Sequence, residues 1–163
     1  MHELPNGAPP TLSEAFACIN ACDDPSLLEL QLMVLVEAAS KELYSAMAAG
    51  ASSPEVSELL LANGREELAH ATRVSRAIGF LTGVDYPVPR AEENPYLIEP
   101  VPQRSVTAQM LSGLALSEFA GEDLYSRWAD KCADPRAAEL LRQNGREENQ
   151  HGNRMQRAAE LTL

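Results

Sequence analysis

Apolar positions recur along this chain at the three-and-four spacing of α-helices, not at the two-residue spacing of strands. Four long stretches carry the pattern. The first is predicted from about Pro25 to Met47, opened by Asp24-Pro25-Ser26, with an inward face of Leu30, Met33, Val34, Glu37, Tyr44 and Met47. The second opens at Ser53-Pro54-Glu55, a cap followed by proline at the first helical position, and is predicted to end near Ile78, at Gly79 or soon after. Its inward face reads Leu60, Asn63, Glu67, His70 and Val74. The third runs from near Ser105 to Ala129 with Leu111, Leu114, Ala115, Glu118 and Tyr125 inward, and the fourth starts at Asp134-Pro135 with Leu141, Asn144, Glu148, His151 and Met155 inward. Each of these faces is an apolar stripe interrupted by carboxylates or histidine. A charge in that place needs a partner.

Residues 1–11 are rich in proline and glycine and read as a loose tail, followed by a short amphipathic turn or helix over Leu12–Ala21. The expected organisation is an N-terminal segment, 1–24, and one helical domain, 25–163. Between the second and third long helices, GVDYPVPRAEENPYLIEPVPQ contains five prolines and excludes a continuous helix. A connection of about 25 residues is long for a hairpin but suits a crossover along the length of a bundle. The expected fold is therefore all-α, a four-helix bundle with a long crossover between helices two and three.

The interrupting residues repeat. At an offset of 81 residues, Glu37, Glu67 and His70 become Glu118, Glu148 and His151, and the longest match is NGREE followed, after two intervening residues, by His. Leu43-Tyr44 recurs as Leu124-Tyr125, Pro54 as Pro135, Arg73 as Arg154 and Arg76 as Arg157. Chance helical patterning reproduces leucines more readily than such mixed chemistry, so one domain is built as an internal duplication. A residue three positions on returns to the same helical face, so each Glu-x-x-His presents a carboxylate and an imidazole together. Four carboxylates and two imidazoles from four helices have the makeup of a two-metal site, and six such donors suit iron or manganese better than zinc alone. Without metal, four inward glutamates would stay protonated or bear a heavy desolvation cost.

The order Glu, Glu-x-x-His, Glu, Glu-x-x-His over about residues 25–160 resembles the ferritin-like di-iron carboxylate superfamily, and the compact duplicated domain is most similar to its rubrerythrin-related branch. The resemblance implies a ferritin-like bundle holding two Fe ions, with Mn or a mixed Fe/Mn centre as alternatives. It implies metal ligation by Glu37, Glu67, His70, Glu118, Glu148 and His151, with Glu67 and Glu148 bridging and the four glutamates forming the catalytic set. The implied activity is oxidation of ferrous iron or reduction of dioxygen or peroxide. Rubrerythrins commonly add a small iron-sulfur module made from two CxxC pairs; this chain has none, so the resemblance implies an external electron donor. They also carry an additional ligating Glu one turn beyond the third-helix ligand, where this chain has Gly121 and only then Glu122.

Around these ligands, Tyr44, Tyr125, Arg73, Arg154 and Glu122 are candidates to support the site. The tyrosines lie two turns beyond Glu37 and Glu118 and serve either as hydrogen-bond donors or electron relays to the site, or as core aromatics. The arginines either anchor carboxylates or form exposed ion pairs. Glu66 and Glu147 point about 100 degrees away from their ligand neighbours, toward solvent or toward a supporting ion pair. Gly64 and Gly145 interrupt helices at equivalent places, each costing up to about 1 kcal/mol in propensity, which points to close packing or a small distortion beside the site.

Composition narrows the partners. Against 13 basic residues stand 24 acidic ones, a net charge of −11, which disfavours nucleic acid. Three cysteines with no CxxC pair, Cys18, Cys22 and Cys132, fit buried thiols in a reducing, cytoplasmic setting. Neither a signal peptide nor a membrane span is legible. A homodimer is the expected assembly, with Leu28, Leu32, Leu35 and Leu43 offering apolar surface that either meets a second copy or is covered by the N-terminal segment. Three other readings stay open: a small oxygenase, an iron-storage or iron-handling protein in a larger assembly, and a metal-free helical interaction protein.

Overall fold

A computed structural model describes residues 2–99, 101–103 and 105–162; the two ends of the expected domain organisation, Met1 and Leu163, and one of the five crossover prolines, Pro100, lie outside them. The described residues form five α-helices and no strand: α1 Leu12–Asn20, α2 Leu27–Ala49, α3 Pro54–Thr82, α4 Ala108–Lys131 and α5 Pro135–Leu161, with a 3₁₀ turn at Ala91–Glu93 in the crossover. The four long helices are the four that the apolar pattern predicts. Their starts follow local chemistry: the Ser53 hydroxyl accepts from Val56 N–H, the Thr107 hydroxyl from Met110 N–H and the Asp134 carboxylate from Arg136 N–H. Ser26 caps α2 and Glu29 reaches back to the Ser26 N–H, so Pro25 stands before the helix instead of opening it.

Helix α3 runs past the predicted end at Gly79 to Thr82, and Gly83 is the residue that turns left-handed, with φ 86°. Gly79 serves another purpose: the crossover folds back there, and a side chain at Gly79 would collide with Asp85.

Helix α2 packs on α3, α4 on α5 and α3 on α5, while α2 and α4 meet through side chains, the Tyr44 hydroxyl reaching Glu118 and the Tyr125 hydroxyl reaching Glu37. The core lies in two apolar clusters. One contains Met33, Val74, Trp128 and Leu141, the other Leu60, Leu111, Met155 and Ala158. Between them along α3 and α5 lies the layer of Glu67, His70, Glu148 and His151, all buried.

From Leu32 to Ser40 every residue of α2 is buried, because the chain's own N-terminal segment and crossover cover its outer side. The tail expected to be loose is docked: His2 N–H donates to Glu93 O, Tyr96 OH to Pro9 O, and Ala8 joins the apolar cluster. Proline and glycine prevent a helix there but leave the backbone free to pack. The Asn94 side-chain amide donates to Leu35 O at 2.8 Å, and Leu32 and Leu35 are fully buried. Leu32 and Leu35 are thus covered within one chain, whereas Leu28 and Leu43 are half-buried. Among the described residues no helix is long and apolar enough to cross a membrane.

Candidate metal centre

Two glutamates hold the middle of the site. Glu67 directs Oε2 to His70 Nδ1 and Oε1 to His151 Nδ1, both at 3.4 Å. Glu148 directs Oε1 to His70 Nδ1 at 3.0 Å and Oε2 to His151 Nδ1 at 3.4 Å. The outer two are one-sided: Glu37 Oε2 lies 4.0 Å from His70 Nδ1, and Glu118 Oε2 lies 3.6 Å from His151 Nδ1. The imidazole rings stack with centroids 5.0 Å apart and an 18° tilt. All six predicted ligands thus converge, and ligand atoms of Glu67, His70, Glu148 and His151 lie within 4.8 Å of one another.

Helical register explains the meeting. Gly64 lets α3 approach α2 so closely that a Cβ would lie 3.0 Å from Tyr44 Cβ and 3.3 Å from Lys41 O. Gly145 does the same for α5 against α4, with Glu122 O and Tyr125 Cβ both at 3.2 Å. The propensity lost at each glycine is exchanged for helix separation small enough for glutamates to meet across the bundle.

Each histidine is oriented from its far side by the other half of the chain. His70 Nε2 lies 3.1 Å from Glu147, which is held by two hydrogen bonds from Arg73; His151 Nε2 lies 3.0 Å from Glu66, held in the same way by Arg154. A carboxylate gripped by arginine is an acceptor, so Nε2 carries the proton and Nδ1 is the nitrogen that faces the glutamates. Neither Nδ1 has a hydrogen-bond partner, although carboxylate oxygens surround both.

Asn63 and Asn144 complete the wiring. Each side-chain oxygen accepts from the arginine that grips the nearby glutamate, and each amide donates to the backbone carbonyl of the opposite histidine. Their inward position was readable from periodicity, and this role was not. The signal was present in the repeated NGREE, which carries Asn and the outer Glu together. The tyrosines also cross: Tyr44 OH on α2 donates to Glu118 on α4, and Tyr125 OH on α4 donates to Glu37 on α2. Glu122 is not brought into the site; its carboxylate accepts from Asn149 on α5 at 2.6 Å.

Burial and mutual repulsion divide the four carboxyls into two kinds. Burial, with Glu67 and Glu148 nearby, pushes Glu37 well above the carboxylate range and Glu118 up to about 8. Burial would raise Glu67 and Glu148 too, but the two imidazoles that face them outweigh it and hold both below the ordinary value. Burial alone would lower the histidines. The carboxylates at both ring nitrogens reverse that, raising His70 well above its usual value and His151 to about 12. A cavity of about 370 Å³ opens onto the cluster between α2 and α4, reaching Glu37, Glu67, Glu118 and Glu148 from an apolar side.

Six carboxylate and imidazole donors from four helices, crossed and clamped by paired arginines, define a carboxylate–histidine helical bundle of the kind that holds two metals. The rubrerythrin family profile matches residues 30–159, and the chain belongs to the rubrerythrin family, in the ferritin-like superfamily, whose members bind di-iron sites. No curated relative and no solved structure shows significant similarity to the chain.

Proposed function

We propose that this protein is a di-iron carboxylate oxidoreductase that oxidises ferrous iron or reduces dioxygen or peroxide. The observation that carries this reading is the pair of unpartnered Nδ1 atoms, each facing three carboxylates, with Glu67 and Glu148 turning one oxygen toward each histidine. His70, Glu37, Glu67 and Glu148 would hold one ion, and His151, Glu118, Glu67 and Glu148 the other. The donor set fits: neutral imidazole with anionic oxygen favours iron or manganese over a soft thiolate-seeking metal. Two iron ions there would each supply one electron, matching the two-electron reduction of peroxide to water.

The chain's own part is positional. Arg73 and Arg154 fix Glu147 and Glu66, which fix the imidazole tautomers. Tyr125 and Tyr44 hold one oxygen each of Glu37 and Glu118, leaving the other oxygen directed at the histidines. The apolar cavity walls limit water around the carboxyls. Electrons for repeated turnover come from an external donor, since the chain carries no CxxC pair. The three free cysteines support a reducing compartment such as the cytoplasm.

Anaerobic loading with ferrous iron, followed by metal counting and optical spectra on exposure to oxygen, tests the reading. About two ions per chain are expected, oxidised on exposure and lost in Glu67→Ala and Glu148→Ala variants. Fewer than one ion per chain in folded protein would sink it.

A further inference from the structure

The cysteines are gathered on one side of the molecule. All three are free and half-buried, and all pack on the apolar cluster that contains Trp128, none on the cluster that contains Tyr44. Cys18 lies in the last turn of α1, and Cys22 stands four positions on, just beyond the cap residue Ala21. Four residues at a rise of 1.5 Å separate the two Cα atoms by about 6 Å, inside the span of roughly 4.4–6.8 Å that a disulfide bridges. Because Cys22 is outside the helix, its backbone can turn toward Cys18 at the cost of one terminal hydrogen bond, from Cys22 N–H to Ile19 O. Cys132 is engaged elsewhere, its thiol donating to Asp134 O at 3.5 Å.

An aromatic path leads from this pair to the carboxylate cluster. The Trp128 indole N–H donates to Cys22 O at 2.8 Å, and the Trp128 ring meets the Tyr125 ring edge-on with centroids 6.4 Å apart. The Tyr125 hydroxyl donates in turn to Glu37. Both rings are fully buried, so the path runs through packed side chains and not through solvent. The other half of the repeat has no counterpart: Tyr44 holds Glu118 in the same way, but Met47 stands where the second half has Trp128.

We infer that Cys18 and Cys22 are the chain's own two-electron donor, a dithiol that closes to a disulfide as it feeds the metal cluster through Trp128 and Tyr125, and that an external dithiol restores it. The inference rests on the di-iron reading above and names the class of its external donor. Two S–H bonds break and one S–S bond forms, releasing two electrons and two protons. Peroxide at the cluster takes up both, its O–O bond breaks and two waters leave. The disulfide then exchanges with the external dithiol, which is oxidised in its place. Direct attack of Cys22 on peroxide competes poorly: burial, with Glu29 and Cys18 beside it, pushes this thiol up, and the neutral thiol is a weak nucleophile.

The test uses the full chain, metal-free and ferrous-loaded, in the absence of oxygen. In the metal-free chain diamide should form one disulfide, mapped by peptide mass spectrometry to Cys18 and Cys22, and the emission of Trp128, the single tryptophan, should fall with it. Peroxide alone should oxidise these thiols only slowly. The iron-loaded chain, given no other reductant, should reduce two peroxides, one with the electrons of its iron and one with those of the dithiol, leaving one free thiol of three. Cys18→Ser should cut this to one peroxide with iron loading unchanged, and Cys132→Ser should leave it at two. Trp128→Phe should slow thiol oxidation in the loaded chain tenfold or more while the diamide reaction and iron content, which report its fold, stay as they were. A disulfide made by Cys132, thiol loss to peroxide as fast without iron as with it, or an unchanged rate in Trp128→Phe would overturn the inference. Iron taken up and oxidised by peroxide with all three thiols intact sinks the dithiol donor alone, whereas a folded chain that takes up no iron sinks the metal-centre reading and the donor role with it.

Discussion

Loading the cluster with metal should expel about four protons for every two ions. In the metal-free protein near pH 7, Glu67 and Glu148 are ionised, Glu37 and Glu118 are protonated, and both histidines are protonated. Those six groups sum to zero charge. With two divalent ions, four carboxylates and two neutral imidazoles they again sum to zero, so four protons are exchanged for four positive charges. All four protons sit on groups whose pKa is raised from its ordinary value, Glu118 to about 8 and His151 to about 12. Raising the pH therefore removes the competitor, and affinity rises with pH. Two protons per ion correspond to about 100-fold in affinity per pH unit, or about 2.7 kcal/mol per ion. The slope should ease above pH 8, where Glu118 has released its proton unaided. Anaerobic titration with manganous ion in weakly buffered solution, read with a pH indicator, measures the release directly. Glu37→Gln and Glu118→Gln should each reduce it by about one proton. Release of fewer than two protons per pair of ions at pH 7 would refute the charge assignment, whatever the affinity.

Other perturbations test the supports. Arg73→Ala or Arg154→Ala should weaken metal affinity about 10–100-fold by freeing Glu147 or Glu66, as read by competition with a chelator, and unchanged affinity would show that the clamp does not orient the imidazole. Gly64→Ala should destabilise the fold by about 1–3 kcal/mol in denaturant titration despite its better helix propensity, because the new methyl meets Lys41 backbone and Tyr44 Cβ, which cannot swing aside. Leu111→Ala, in the fully buried cluster, should cost about 2–5 kcal/mol in the same assay. Metal at about 1,000 times its dissociation constant should stabilise the protein by about 4 kcal/mol, seen as a higher melting temperature that chelation reverses.

The long helices and six converging side chains were legible because each depends on short-range rules. Ser-Pro and Asp-Pro mark helix starts, and Glu-x-x-His places two donors on one face wherever the helix packs. Helix α3's end was less legible, because Gly79 and Gly83 are equivalent as sequence signals and only Asp85, folding back, decides between them. The direction of Glu147 was open for a similar reason. A residue 100 degrees from Glu148 meets solvent or a neighbouring helix according to how α3 and α5 lie together, and no periodicity within α5 encodes that.

Each half of the molecule completes the other: Arg73 and Glu147, Arg154 and Glu66, Tyr44 and Glu118, Tyr125 and Glu37 all pair across the repeat. A single helical hairpin from either half would have an imidazole without its orienting carboxylate and a glutamate without its phenol. Such a hairpin becomes whole only by meeting its own twin, and two identical copies would meet with every one of these pairings satisfied twice. In this chain the crossover ties the two complementary halves together, and the correspondence is not complete: 81 residues on from Met47 stands Trp128, and 81 residues on from Ser40 stands Gly121.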